Sequence, residues 1–296
     1  NGQRDGWLSN TILLTSLAFL VSGAGFILSQ LYGKARIMEL PLFRHIPFAA
    51  AIAVSLVYGL ANFSAIYLYP IFGQLVQEYT PSAAGFLILP GAMFAVLILP
   101  FTGQFADKVP VQFGIAIGIS LFGVSNIILA SSDISTMFWV VAALIVMGRI
   151  GLAFMTPSMM SASLSTVPPE KLGEASAIVN FMMLFGGAIG INALVVLLDR
   201  RTQLHSEALT STQTSANPAT RELLDNVTRL LGEEGFAEAL RSPVALNYLG
   251  DMVHAQANTL GFQDGFIAIA VVAFLGLVPA AILHYTTRRA RGRDNV

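Results

Sequence analysis

Residues 147–192, MGRIGLAFMTPSMMSASLSTVPPEKLGEASAIVNFMMLFGGAIGIN, hold two long apolar runs joined by a short polar stretch with Pro168, Pro169, Glu170 and Lys171. With a few flanking residues, each run is long enough at about 1.5 Å per residue to cross roughly 30 Å of hydrocarbon, so the segment can fold as a helical hairpin in lipid. Gly148, Gly151, Gly186, Gly187 and Gly190 say how it would pack. Lipid removes the hydrophobic drive between helices, and small residues let backbones approach instead. These helices are expected to touch other helices.

The rest of the chain repeats the theme. Seven candidate spans follow from hydropathy: Leu8 to Leu31, Phe48 to Phe72, Ala83 to Phe105, Val111 to Ala130, Met137 to Met160, Ala175 to Leu198 and Phe266 to Tyr285. With 55% hydrophobic residues, 11% charged residues and a mean hydropathy of +0.69, the fold class is an all-α integral membrane bundle resident in the lipid bilayer. A net charge of −1 and the absence of any long basic run exclude nucleic acid as a partner. The chain has no cysteine, which removes thiolate chemistry, disulfides and thiolate metal sites. It opens at Asn1 without a basic leader and cleavage site, which reads as no signal peptide and as a piece of a longer chain.

Short joints set the expected orientation. Lys34, Arg36 and Arg44, then Lys108, then Lys171, then Arg288, Arg289, Arg291 and Arg293 fall on one side, while the joints 73–82 and 131–136 carry no Lys or Arg. The positive-inside rule places the C-terminus in the cytoplasm and the N-terminus outside, in a cell membrane. The stretch 199–263 then lies outside; its five arginines do not count, because long loops cross largely regardless of charge. Asn217 with Pro218, and Ser242 with Pro243, each read as the start of an amphipathic helix within this loop, lying on the membrane surface or on the other helix.

Few residues carry chemistry. His45, His205, His254 and His284 lie far apart, with no carboxylate or second histidine at ligand spacing, so neither an enzyme, a metal site nor a cofactor is expected. Arg149 is different: it falls near the middle of the fifth span, where a charge costs about 2.5 kcal/mol or more, and must face protein or water. It reads either as a contact for substrate, an anion or a proton-carrying acid, or as a structural donor to backbone carbonyls or to Asn126, Asn180 or Asn192. Tyr58 and Asn62, with the Ala65 to Tyr69 stretch, place polar and aromatic groups close to one face of the second span. Such a stripe can line a cavity for amphipathic organic molecules, or simply pack. The methionines of the hairpin, Met183 among them, suit core packing or an adaptable binding surface. Gly103, Asp107 and Lys108 mark a tight cytoplasmic turn in which Asp107 is placed to cap the next helix.

The order GxxG, FMTP, VPPEKLGEASA and then an asparagine followed by GGAIG resembles the penultimate pair of spans in fourteen-span drug:proton antiporters of the major facilitator superfamily, the EmrB/QacA type. GQRDGW, MELPLFRHIPF, GQFADKVP and QANTLGFQDGF extend the likeness over essentially the whole chain, and Gly103, Asp107 and Lys108 resemble a degenerate copy of the superfamily's cytoplasmic turn signature. The resemblance implies that residues 1–47 form a central extra span and linker, and residues 48–296 the C-terminal six-helix half, with loop 199–263 outside. It implies export of small amphipathic organic substrates against protons, in partnership with an N-terminal half that carries the coupling acids. The chain departs from the family at Met183, where an arginine often stands, and at Arg149, where small residues are usual; the short loop 163–174 suggests that the two face one cavity from adjacent helices. The alternative is a membrane scaffold or assembly subunit docking an extracytoplasmic adaptor through 199–263.

The charge asymmetry makes a topological prediction. Single cysteines at Ser82 and Ser132 should react with an impermeant thiol reagent added outside intact cells, and one at Ser165 should not. Labelling at Ser165 but not at Ser82 reverses the orientation.

Overall fold

The computed structural model describes residues 9–32, 45–214 and 216–293. Lys34, Arg36 and Arg44 lie outside the described residues. Nine α-helices are formed among those described: α1 (Asn10–Tyr32), α2 (Ile46–Leu75), α3 (Pro81–Lys108), α4 (Val111–Leu129), α5 (Phe138–Leu164), α6 (Leu172–Thr212), α7 (Pro218–Glu233), α8 (Glu238–Leu275) and α9 (Leu277–Arg293). Six spans are long and apolar enough to cross a membrane: α2 to α6, and α8 with α9 as one. The protein is an all-α, multi-pass membrane protein. α1, the first of the seven expected spans, has a shorter apolar stretch at Leu13–Gly25 and makes at most marginal contact with the other helices.

α2 is the centre of the bundle. It packs against α3, α5, α6, α8 and α9, and buries Ala51, Val54, Ser55, Ala61, Ala65 and Leu68. Its tightest seam is with α6. A Cβ on Gly59 would strike the backbone carbonyl of Met183, one on Gly186 would strike the carbonyl of Leu56, and one on Gly190 would lie 2.5 Å from the carbonyl of Leu60. α4 and α5 meet the same way, Gly118 against the carbonyl of Gly151 at 2.6 Å and Gly151 against that of Gly118 at 2.7 Å. Of the glycines read from the sequence as contact points, Gly151, Gly186 and Gly190 are therefore places where two backbones touch, while Gly148 and Gly187 meet the side chains of Ser125 and Phe63. Phe72 adds edge-on aromatic packing against Phe262 and Phe266 of α8.

At the end of the bundle assigned to the outside, polar groups tie three elements together. Asp133 accepts from Ser135 N and Oγ at 2.9 and 2.7 Å and from Thr136 Oγ1 at 3.0 Å, closing the joint between α4 and α5. Those hydrogen bonds, from Ser135 first, hold its carboxyl below the usual carboxylate range. Gln77 Nε2, just beyond α2, donates to the carbonyl of Thr136 at 2.9 Å, and Gln263 Nε2 of α8 donates to that of Ser132 at 3.2 Å. Ser132 itself is buried in this clamp, so the exposed Ser131 is the better labelling position on the same joint.

The segment 199–263 holds two helices that lie on one another, one of the two arrangements expected, but they are not set in a loop. α6 runs unbroken for 41 residues and α8 for 38, or roughly 60 Å each at ~1.5 Å per residue, about twice the hydrocarbon thickness. Both spans thus continue as rods beyond the membrane, and α7 packs on α8 beside them. The Asn217 signal is as expected, its side chain accepting from Ala219 N at 3.1 Å with Pro218 in the first turn. The Ser242–Pro243 signal is not: α8 starts at Glu238, and Pro243 lies inside it. A proline just past the first turn forfeits only one helical hydrogen bond, which a helix of this length absorbs. The last span is also not one helix; Gly276 separates α8 from α9.

Because the α2–α6 seam is a backbone contact, Gly59→Leu or Gly186→Leu should lower stability by about 1–3 kcal/mol. Gly85→Leu, with nothing within 4 Å of its Cβ position, should be neutral or slightly stabilising. Thermal unfolding in detergent reads the difference; equal midpoints for all three would mean that the seam is loose.

Candidate functional site

The polar residues of α2 meet α5 and α4 along one seam inside the membrane. Arg149 Nη1 of α5 donates to Asn62 Oδ1 of α2 at 3.1 Å. Two turns along α5 and one along α2, the hydroxyls of Thr156 and Tyr58 lie 3.2 Å apart, and Thr156 Oγ1 also donates to the carbonyl of Leu152 at 2.9 Å. Toward the other end, Tyr69 OH donates to Asn126 Oδ1 at 3.3 Å, and Asn126 Nδ2 donates to the carbonyl of Phe122 at 2.9 Å. The antiparallel run of α2 and α5 is what puts 62 opposite 149 and 58 opposite 156.

Arg149 is the charged member. It stands roughly 16 and 22 Å along α5 from the helix ends, so it is deep in the hydrocarbon. Gly91, next to Pro90 of α3, makes room for its stem, since a Cβ there would lie 2.9 Å from Arg149 Cγ. The side chain is part-buried, and its Nε is buried without an acceptor among the described residues. No carboxylate of a described residue pairs with it. A guanidinium with five donors, one neutral acceptor and no counter-charge can take an anion, a carbonyl or a hydroxyl from a bound molecule.

The sequence offers Asn126, Asn180 and Asn192 as acceptors for Arg149, and the structure supplies Asn62, which lies 87 positions away. Asn126 is taken by Tyr69, while the Nδ2 amides of Asn180 and Asn192 donate to carbonyls of their own helix, at Ser176 and Ala188, on an exposed face of α6. Met183 is part-buried against the core, with its carbonyl at Gly59. α6 packs chiefly on α2 and α8 rather than on α5, so Met183 and Arg149 approach α2 from different neighbours despite the short loop between their helices. Of the five cavity candidates, Arg149, Asn62 and Tyr58 come together and Asn180 and Met183 stand apart. At the turn, α3 continues through Lys108 with Asp107 exposed on it, and the N-cap of α4 is Pro110, which has no side-chain acceptor to offer. Asp107 therefore does not cap α4, because capping belongs to the residue directly before the first turn.

A second polar group escaped the sequence. His205 Nε2 of α6 lies 2.8 Å from Asp264 Oδ2 of α8, and Arg201 Nε lies 3.6 Å from the same oxygen. Fifty-nine positions separate the histidine from the carboxylate, and only the two long helices side by side bring them together. Beside this pair a groove of about 670 Å³ opens between α2, α6 and α8 at the end of the bundle where α6 and α8 extend.

The sequence profile of the Major Facilitator Superfamily matches residues 6–191. Among curated proteins, the chain is 26% identical to the colistin resistance protein EmrB of Acinetobacter baumannii over 93% of its own length and 53% of that protein's. It is 22% identical to the multidrug export protein EmrB of Haemophilus influenzae over 94% and 53%. With the multidrug export protein EmrB of Escherichia coli it shares 27% over 73% and 42%. The chain thus spans about half the length, or less, of these relatives.

The Asn62–Arg149 bond should show up as coupling. Asn62→Leu should destabilise the protein by about 1 kcal/mol, and the same change beside Arg149→Leu should cost close to nothing. A double-mutant cycle in detergent measures it; additive effects would mean that the two side chains act independently.

Proposed function

The chain belongs to the Major Facilitator Superfamily, a transport fold and not an enzyme, and we propose that it is the C-terminal half of a proton-driven exporter of small amphipathic organic compounds. The observation that carries this reading is Arg149 in the α2–α5 seam, a part-exposed cation in mid-membrane with unfilled donor capacity. Such a group is costly unless it faces a cavity that substrate or water enters. In this reading Arg149 and Asn62 contact the polar end of the substrate and Tyr58 its apolar body, while two halves rock around the seam to open it alternately to each side. The export functions named for the relatives support the direction of transport.

The missing partner is then an N-terminal half bearing the acids that carry protons. Its docking faces are those of α3 and α6, the least buried spans of the bundle. On α6, Asn180 and Asn192 stand twelve residues apart on the exposed face, and amides are poorly suited to hydrocarbon but well suited to a protein interface or a wet cavity.

A second reading, a membrane scaffold or assembly subunit, draws on the outer extension, where Leu230, Phe236, Leu240, Tyr248 and Met252 are exposed and could seat an extracytoplasmic adaptor. Proteoliposomes of the full-length protein separate the two. Substrate-dependent proton flux is expected, and Arg149→Gln should reduce it at least about tenfold with normal insertion, a loss of ~1.4 kcal/mol of transition-state or binding energy. A stable complex through 199–263 with no flux would instead support the scaffold, and unaltered flux in Arg149→Gln would remove the seam from the transport path.

A further inference from the structure

The groove between α2, α6 and α8 at the outer membrane boundary is unrelated to the Arg149 seam and has its own chemistry. Its inner part is apolar, with Tyr67 and Ile71 of α2, Leu198 of α6 and Phe262 of α8. Its outer part is polar. Asp199 and Glu207 stand two turns apart on the same side of α6, facing His254 and Asn258 of α8. At about 670 Å³ it is within the range of sites that hold small organic molecules.

The sign of the groove follows from where the nearby cations go. Among the described residues no Lys or Arg lines it, and Arg200, next to Asp199, is exposed and outside the lining. Arg201 follows Asp199 by two residues, about 200° around the helix, and is engaged there with Asp264 beside His205. Glu207 accepts one neutral hydrogen bond, from Gln203 Nε2 at 2.8 Å, and Asp199 has no ion pair or hydrogen bond with a described residue. The walls therefore present two exposed carboxylates, neither in an ion pair among the described residues, above an apolar floor that includes Tyr67 and Phe262. A cleft of one sign between low-dielectric walls concentrates the opposite charge, and a tyrosine face adds attraction for an organic cation.

We infer that this groove is a binding site for an amphipathic organic cation, its ammonium-type charge between Asp199 and Glu207 and its apolar body against Tyr67 and Phe262. It lies at the level where α6 and α8 leave the membrane, so an occupant enters from the outer leaflet or the outer solution. Free organic cations and amine-headed lipids share this chemistry.

The test uses the full-length protein in nonionic detergent, with Leu75→Trp at the groove's rim as a local reporter and the parent's fluorescence subtracted. Tetraphenylphosphonium and its anionic isostere tetraphenylborate are titrated at one fixed pH. Saturable quenching by the cation is expected, weakened at least about tenfold in Asp199→Asn/Glu207→Gln, with no saturable response to the anion. Binding is read at equilibrium by a reporter in the groove, with no transport step, which keeps this result separate from the outcome of the transport assay. Should the double variant unfold, Asp199→Asn alone, at an exposed helix position, should still weaken binding about threefold. Competition by added phosphatidylethanolamine would identify an amine-headed lipid as the occupant; persistence of binding in its presence would identify the free cation. Equal quenching by the two ions, or an affinity unaltered by removing both carboxylates, would overturn the site.

Discussion

Backbone contact at α2 is the constraint on which the rest of the structure depends. In lipid an apolar side chain gains little by leaving its neighbours for another helix, so attraction has to come from dense packing over short distances. Gly59, Gly186 and Gly190 let α2 and α6 approach until main-chain atoms touch, and Gly118 with Gly151 does the same for α4 and α5. Each contact leaves no room for a methyl group. Close approach in turn fixes rotation and depth, so the polar residues on α2 can meet partners across the seam rather than slide past them.

That placement is what makes a mid-membrane arginine tolerable. Arg149 reaches Asn62 because α2 and α5 cross at one register, and Gly91 leaves space for its stem. One neutral acceptor does not satisfy a guanidinium, and its buried Nε records the shortfall. Groups left unsatisfied at this depth cost free energy that a purely structural bundle would avoid by using leucine. The neighbouring Tyr58–Thr156 and Tyr69–Asn126 pairs, by contrast, are neutral, and Thr156 and Asn126 also donate to carbonyls of their own helices.

Beyond the membrane the same helices serve a different end. The continuation of α6 and α8 as rods gives the segment 199–263 rigidity that two short surface helices would lack, and α7 packs on α8. Side-by-side rods also juxtapose charges that no local pattern connects. His205, Arg201 and Asp264 draw together on one flank, which leaves Asp199 and Glu207 facing the groove without a cation.

Helix content, most of the apolar spans, the Asn217 cap and the contact glycines Gly151, Gly186 and Gly190 were legible along the chain, because hydropathy, capping and small-residue spacing are local properties. So was the oddity of Arg149, since a charge in an apolar run is visible without any partner. The identity of that partner was not. Asn62 is 87 positions away, and choosing it over Asn126, Asn180 or Asn192 requires knowing which helices are neighbours; α6, next in sequence to α5, packs instead on α2. Continuity of α8 through Pro243 was likewise undecidable locally, because a proline near a helix start reads the same at the first position as one turn later. Only the tertiary structure decided these points, for the physical reason that helix pairing is set by shape across the bundle and not by order along the chain.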